Sequence, residues 1–596
     1  MSTPGSRAGT PASSTVRTLL VVDCGSAFTK AALLAQVDGQ FRLLAATQVP
    51  TTEAPPHADL THGIAAAIAD LERIHGRPLR HDGQMIKASA NHPDGVDGVS
   101  LVMSAGGPVR LLTTGPGHQA LAALVRKGAS GLFAALEPFP DVAPPRRWGS
   151  SREWAQEVER ISALQPHGVV VVGNSAAGQH GRADLTQTAR TIAAYIDALN
   201  ADLPERTAAP AIPVIFTGSR DDADDLQQAL ARRVTVRGID SLAPGSLGQL
   251  NQAIANLYEN KVLRAIPGYE SARALATVPP VSVATSLTGV MRYLGQRYQM
   301  NVIGVDVGAS STVVVGATAQ GGFVPCVLPE LGVGPGAGAI VRRVGAANVL
   351  RWLLEPVSEG QLRDYVLGRM IRPGLIPSSA RELEIEHALA REAILCAATA
   401  PDGALEGLRP VDVILGTGGV FAHVAQPEQA ALILLDALQP RGITSLVLDV
   451  AQITSMLGGV AGINPTVAGE VAEGDAVSAR LGSVVSTSGA TSYGQAAVRV
   501  SLEYADGRRS IVEVMPGTMV RLPLGPGERG MLSLLPAPMV DIGLGPGQQA
   551  RASDALEGGL VGLVIDARGR PLSLPAELEK RQAKLREWHQ ALGITY

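Results

Sequence analysis

The sequence predicts an α/β protein built on a duplicated unit, with a β-rich region after it. Three observations carry this expectation. Apolar residues form 46% of the 596-residue chain and aromatic residues only 3%, so the interior is built mainly from Val, Leu, Ile and Ala, a composition suited to helices layered on sheets. A strand, a turn of small residues, a second strand, a hairpin and a third strand occur twice, once after residue 16 and again after residue 300. Around these copies, apolar runs of strand length alternate with helical patterns until about residue 483, where short strands take over.

Residues 1–16 are rich in Ser, Thr, Pro and Gly and lack the apolar core of a signal peptide, so a disordered tail is expected. VRTLLVVD reads as a buried strand, TKAALLAQV as a second, VDGQ as a hairpin turn and FRLLAATQV as a third. A helix follows at LTHGIAAAIADLERIHG, then strands at MIKASA and VSLVMSA and a helix at HQALAALVRKG. Residues 134–152 are Pro-rich and read as irregular. GVVVVG, TARTIAAYIDALN, IPVIFTG and DDADDLQQALARR alternate strand and helix, the pattern of parallel α/β structure.

NVIGVDVGASSTVVVGATAQGGF then repeats the opening: Asp306, Gly308 and Thr312 stand at the D-x-G-x-x-x-T spacing of Asp23, Gly25 and Thr29. Helices are expected at ARELEIEHALAREAILCAATA, EQAALILLDAL and near PTVAGEVAEGDAVSARLG, and strands at VDVILG and TSLVLDV. AAVRVSLEYADGRRSIVEV is a hairpin with a DG turn; TMVRLPL, GMLSLLP and GLVGLVIDARGRPLSL are short strands, and AELEKRQAKLREWHQAL is an amphipathic helix. The expected division is a tail at 1–16, a first unit at 17–275, a second at 276–480 and a β-rich C-terminal domain with a terminal helix at 481–596.

A formal charge of -4 with both signs interspersed gives no basic footprint for nucleic acid or a membrane surface. No run approaches the roughly 18 uninterrupted apolar residues of a membrane span. Three distant cysteines, Cys24, Cys326 and Cys396, argue against a disulfide framework or a thiolate zinc site and fit a cytoplasmic protein.

Chemistry is expected where the two repeats turn. A buried strand ending in an acid and followed by small and hydroxyl residues suits a polyphosphate approached through a cation. Backbone amides at 25–27 and 308–311 can reach phosphate oxygens, and hydroxyls of Ser26, Thr29, Ser310, Ser311 and Thr312 add donors. Asp23 and Asp306 would repel the phosphates unless a cation lay between, and Mg²⁺, which favours oxygen ligands and keeps waters, is the expected one. Lys30 would offset phosphate charge. In VDVILGTGGVF a buried strand delivers Gly416, Gly418 and Gly419 to a turn where the backbone can pass close to a flat ligand such as adenine and its ribose. No GxxxxGK[ST] occurs, and LGVGPGAGAI departs from GxGxxG spacing, so it reads as a loop at the cleft or a partner surface.

The order D-x-G-S-x-x-T-K, D-x-G-x-x-x-T, G-T-G-G resembles the phosphate 1, phosphate 2 and adenosine motifs of the superfamily (ASKHA) of actin, heat-shock chaperones and sugar kinases. Within it the chain looks most like the MutL (GlmL) family, accessory proteins of adenosylcobalamin-dependent glutamate mutase. The resemblance covers roughly residues 17–480, through DCGSAFTK, GVVVVGNSAAG, IPVIFTG, YENKVLRAIPGYE, DVGASST, LGVGPGAGAI and LGTGGVF. It implies two actin-like, ribonuclease H-like ATPase domains around a nucleotide cleft. It also implies slow Mg²⁺-dependent ATP hydrolysis, and a cobalamin-dependent mutase as the protein partner that the chain maintains or reactivates; a homodimer is compatible with it.

Carried over residue by residue, Asp23, Gly25, Ser26, Thr29 and Lys30 fall in the first phosphate motif and Asp306, Gly308 and Thr312 in the second. Asp306 would orient the attacking water and Asp23 fix the metal. Ala309 stands where a second glycine is common, and GNSAAG replaces a more acidic turn. Two alternatives stay open at this point: a small-molecule kinase of the same fold, and a scaffold that binds nucleotide without turnover. The absence of D-x-H-x-x-G around any of the eleven histidines argues that the chain is not the mutase itself.

Overall fold

A computed structural model describes residues 17–87, 94–140, 152–173, 178–200, 212–230, 234–399, 405, 408, 410–474, 476–489, 491, 494–551 and 555–595. The expected N-terminal tail and most of the GNSAAG turn lie outside these residues.

The first repeat folds as β1 (Thr18–Cys24), β2 (Phe28–Val37) and β3 (Gln40–Pro50). They form an antiparallel meander whose first strand pairs in parallel with β4 (Gly98–Met103), itself edged by the short strand Val281–Ser282. In chain order the sheet reads 3-2-1-4-5. Helix α1 (Leu60–His75) buries Leu60, Ile64, Ala67, Ile68 and Leu71, one stripe of its 3.6-residue period, against this sheet; the Asp59 carboxylate caps it by accepting from the Thr61 amide.

Between β4 and Val281 the chain builds a second, wholly parallel sheet from β5 (Val109–Thr114), β6 (Ala134–Pro138), β7 (Gly168–Val172), β8 (Val214–Thr217) and β9 (Val236–Ile239), ordered 5-4-3-1-2. The alternation read from the sequence is this sheet. β6 falls inside the Pro-rich stretch expected to be irregular: as an edge strand it tolerates Pro138, which cannot donate to a ladder. Of the expected strand MIKASA only Gln84–Met85 is a strand, and the rest lies largely outside the described residues.

The second repeat gives β10 (Val302–Val307), β11 (Thr312–Ala317) and β12 (Phe323–Leu328), with β13 (Val413–Thr417) and β14 (Gly442–Asp449) in parallel beyond β10, again 3-2-1-4-5. The duplication extends to register: Cys24 pairs with Thr29, and Val307 with Thr312. This shared order is that of the ribonuclease H-like sheet expected from the sequence.

The second sheet does not stop there. The helix expected through residue 482 ends at Ala472, and Ser478–Ser486 is a strand, β15, antiparallel to β14. Its small residues mimic a helical pattern, but pairing decides the outcome. The expected boundary at 480 thus falls within β15, which pairs in parallel with Gly562–Asp566, next to Met519–Leu522. The remaining C-terminal strands form a second layer over this end, enclosing Val498, Val500, Leu502, Leu532, Leu563 and Ile565.

Buried charges fasten this region to the second lobe. Arg568 is enclosed between Asp566 (2.9 Å) and Asp436 (2.6 Å), the latter on helix α2 (Pro427–Leu438) and also paired with Arg391 at 2.8 Å; Arg570 reaches Asp566 at 2.6 Å. These arginines hold the Asp566 carboxyl far below the usual carboxylate range. The lobes share one core, which takes in β1, β2, the inner face of β7 and Val313, Val315 and Ala317 of β11. No helix among the described residues is long and apolar enough to cross a membrane.

Removing one member of a buried charge network leaves the others unpaired. Arg568→Met is expected to destabilise the chain by about 3–5 kcal/mol in urea titration; a change within experimental error would show that the network does not fix the C-terminal region to the second lobe.

Candidate functional site: a cleft between two acidic hairpins

Strand parity sets the site. In the first hairpin Asp23 pairs with Lys30 and Cys24 with Thr29, so successive pairs face opposite sides of the sheet. Asp23 and Lys30 face a cleft; Cys24 and Thr29 are fully buried in the other direction. In the second hairpin Asp306, one residue before the Val307–Thr312 pair, faces the same cleft. The two tips meet, with the Ser310 hydroxyl donating to the Ser26 hydroxyl at 2.7 Å. Each tip is closed the same way: the Gly25 amide donates to the Phe28 carbonyl at 3.0 Å and the Gly308 amide to the Ser311 carbonyl at 2.9 Å.

The cleft brings together Asp23, Gly25, Ser26, Lys30, Asp306, Gly308, Ser310, Ser311, Gly418 and Gly419 of the residues expected from sequence. Thr29, Thr312 and Gly416 do not line it. Thr29 packs on α1, where a β-carbon at Gly63 would lie 2.8 Å from its hydroxyl oxygen. Thr312 donates to the Leu331 carbonyl at 2.7 Å, holding the loop behind the second turn. Gly416 sits within β13 against the Phe421 ring. For the two threonines the D-x-G-x-x-x-T spacing identified the hairpins, while pleat parity sends the hydroxyls away from the cleft.

Gly418 has a φ of +95°, and a β-carbon there would sit 2.5 Å from Asp306 Oδ1 and 2.6 Å from the Val307 carbonyl. The third motif therefore rests directly on the second. The segment LGVGPGAGAI packs under the second turn: the Val333 amide donates to the Gly308 carbonyl at 3.1 Å and the Gly334 amide to the Ala309 carbonyl at 2.7 Å. A β-carbon at Gly334 would lie 2.9 Å from the Ala309 methyl, so this loop accommodates the alanine that replaces a glycine in the turn.

Both carboxylates are buried, Asp23 to 4% exposure and Asp306 to 8%. Burial raises the Asp23 pKa above the ordinary value, against the Lys30 charge and the Ser104 hydroxyl, which donates to Asp23 Oδ1 at 2.8 Å. Burial pushes Asp306 up to about 6; Lys30 opposes this, the Asp23 and Asp449 charges add to it, and the Ser455 hydroxyl lowers it. Cys24, inside the first turn, is buried and its thiol is pushed up, which makes it an inert packing group.

Sequence reading missed Ser104, Gln48, Arg369, Glu386 and Gln452, all of which line the cleft. Asp449 had a signal: it too ends a buried strand, in TSLVLD. It lies behind the cleft, accepting from the Thr417 hydroxyl and the Thr454 amide, each at 2.8 Å. The others stand far from any motif.

The donor set fits a magnesium ion carried by a polyphosphate. Two carboxylates and several hydroxyls face one space, but no cluster of three or more His, Cys, Asp or Glu able to hold a metal occurs among the described residues. Such a site suits a cation that takes its remaining ligands from phosphate and water.

Two outcomes are expected. A β-carbon at 418 meets backbone and the Asp306 carboxylate, so Gly418→Ala should cost about 1–3 kcal/mol in urea titration; an unchanged midpoint would refute the contact. Asp306 binds its proton more tightly folded than unfolded, so the stability it contributes is complete below the ordinary carboxylate pKa and is lost as pH rises through about 6. With EDTA and no nucleotide, Asp306→Asn should gain up to about 3 kcal/mol over the native chain between pH 4 and pH 7; a difference that stays flat with pH would rule this out.

Among curated proteins no sequence match was found. Three solved structures are among those similar to this chain. Nucleotide-free acetone carboxylase is 12% identical over 84% of this chain and 81% of that one, with a TM-score of 0.27. The activator of the 2-hydroxyisocaproyl-CoA dehydratase from Clostridium difficile, with bound ADPNP, is 9% identical over 75% and 95%, TM-score 0.27. A glycerol dehydratase reactivase is 11% identical over 75% and 100%, TM-score 0.27. The model of the MutL protein family matches residues 19–476, from the first strand of the first hairpin to the last helix before β15, and the chain belongs to that family.

Proposed function

We propose that this chain is an ATP-dependent accessory protein that binds Mg²⁺-ATP between its lobes and uses slow hydrolysis to change their closure, and with it the affinity for a protein partner. The observation that carries the reading is the contact of the two acidic hairpin tips over one cleft, with Asp23 and Asp306 lining it from opposite lobes. The turn amides and the hydroxyls of Ser26, Ser310 and Ser311 would bind phosphate oxygens, and Lys30 would offset their charge. Asp23 and Asp306 would hold the magnesium ion through its waters, and the ion would neutralise the β- and γ-phosphate oxygens. Asp306 would orient the attacking water and accept its proton. Gly418 and Gly419 would let the backbone pass close to the adenosine.

Membership of the MutL family supports an adenosylcobalamin-dependent mutase, such as glutamate mutase, as the partner, in the cytoplasm. Nucleotide-driven closure needs only differential affinity of ATP and ADP for the open and closed lobes.

The purified chain is expected to hydrolyse ATP slowly, only with Mg²⁺, and Asp306→Ala to lower turnover by about 10²-fold or more. A pull-down from native extract should retain a cobalamin enzyme with one of ATP or ADP and release it with the other. Unchanged turnover in Asp306→Ala would remove that residue from the reaction, and a phosphorylated small molecule as the product would replace the accessory reading with a kinase.

A further inference from the structure

One buried cation on the cleft belongs to none of the three motifs. Arg369, on the helix Glu359–Ile371, is 7% exposed and lines the cleft. Two of its three nitrogens are in use: Nη2 pairs with Glu386 at 2.8 Å, and Nε donates to the Val333 carbonyl at 3.3 Å. Nη1 is buried and, among the described residues, donates to nothing. A buried guanidinium N–H without an acceptor is costly to leave unmade, and a planar fork held by one carboxylate offers its free edge to another anion. The attachment also says which anion. Val333, whose carbonyl holds Nε, donates its amide to Gly308, so the guanidinium is one residue removed from the second phosphate turn.

We infer that Arg369 is a phosphate-binding residue, donating from Nη1 to a phosphate oxygen of the bound nucleotide, and that Glu386 is the positioning residue that holds the guanidinium at the cleft wall. The inference rests on the reading of the cleft as a nucleotide site and adds to it a cation from the second lobe, opposite Lys30 of the first. Glu386 is itself 1% exposed, and the Tyr365 hydroxyl donates to the same carboxylate oxygen at 3.4 Å, which anchors it independently of any ligand. With Nη2 and Nε held by Glu386 and Val333, Nη1 is the nitrogen left for phosphate.

The test is calorimetry on the full chain with Mg²⁺ and, in turn, ADP, a non-hydrolysable ATP analogue and adenosine. Arg369→Met is expected to weaken both nucleotides by about tenfold to a hundredfold, the worth of a charge-assisted hydrogen bond, and to leave adenosine within about twofold. Because Arg369→Met strands a buried carboxylate, the double variant Arg369→Met with Glu386→Gln, which removes both charges, is measured beside it and should show the same phosphate-selective loss. Unchanged nucleotide affinity in the double variant, or an equal loss for adenosine, overturns the inference while leaving the nucleotide site standing. Failure of the native chain to bind either nucleotide overturns both.

Discussion

Two carboxylates at the ends of equivalent strands are withdrawn from water on opposite walls of one cleft, and among the described residues neither forms an ion pair within 4 Å. Desolvating such groups without a counter-ion opposes folding, so the surrounding structure must over-determine their position. It does so with β-ladders. Asp23 and Asp306 occupy strands hydrogen-bonded on both sides, and their neighbours Cys24 and Val307 point into solid core. Lys30 and Ser104 relieve part of the cost at Asp23, and Ser455 part of it at Asp306. In the proposed reading, the rest is relieved by the cation that the nucleotide brings.

The duplicated hairpins were legible because they obey local rules: a buried run, an acid, small residues, a second run. The repeat spacing located the turns to the residue. It did not say which side chains face the ligand, because that depends on which residues pair across the turn. Once Asp23 is opposite Lys30, Thr29 must face the core with Cys24, and the Thr29 hydroxyl does. Arg369 was invisible for a different reason. It lies in the last turn of the helix EGQLRDYVLGRMI, where an arginine reads as a solvated face, and only the packing of that helix on the loop at Val333 turns it inward. Likewise, nothing local in VSARLGSVVS reveals that β14 will claim it as a strand or that Gly562–Asp566 will pair on its other edge.

The two halves have diverged by additions placed away from the cleft. The first lobe carries the parallel sheet between β4 and Val281, whose inner face merges with the shared core; the second carries the C-terminal layers, fixed by Arg568 and Asp436. Each addition therefore follows its own lobe. In the proposed reading, a small rotation at the hairpin tips would change the separation of these outer regions more than that of the tips themselves, and a partner could read the nucleotide without approaching the cleft.

Such rotation must break the polar contacts that join the lobes around the cleft. Beyond the Ser310–Ser26 hydrogen bond, the inserted sheet touches the second lobe through Ser130, whose hydroxyl donates to the Pro325 carbonyl at 2.7 Å, and through Arg110 and Glu330 at 3.3 Å. The ion pair is half-exposed and contributes at most about 1 kcal/mol. Each hydrogen bond contributes about 1 kcal/mol net. Together these polar contacts contribute only a few kcal/mol and come on top of the apolar core that the two lobes share. In the proposed reading, the hydroxyls of Ser26 and Ser310 that form the tip contact are those that would turn to phosphate, so nucleotide and tip contact compete for the same donors.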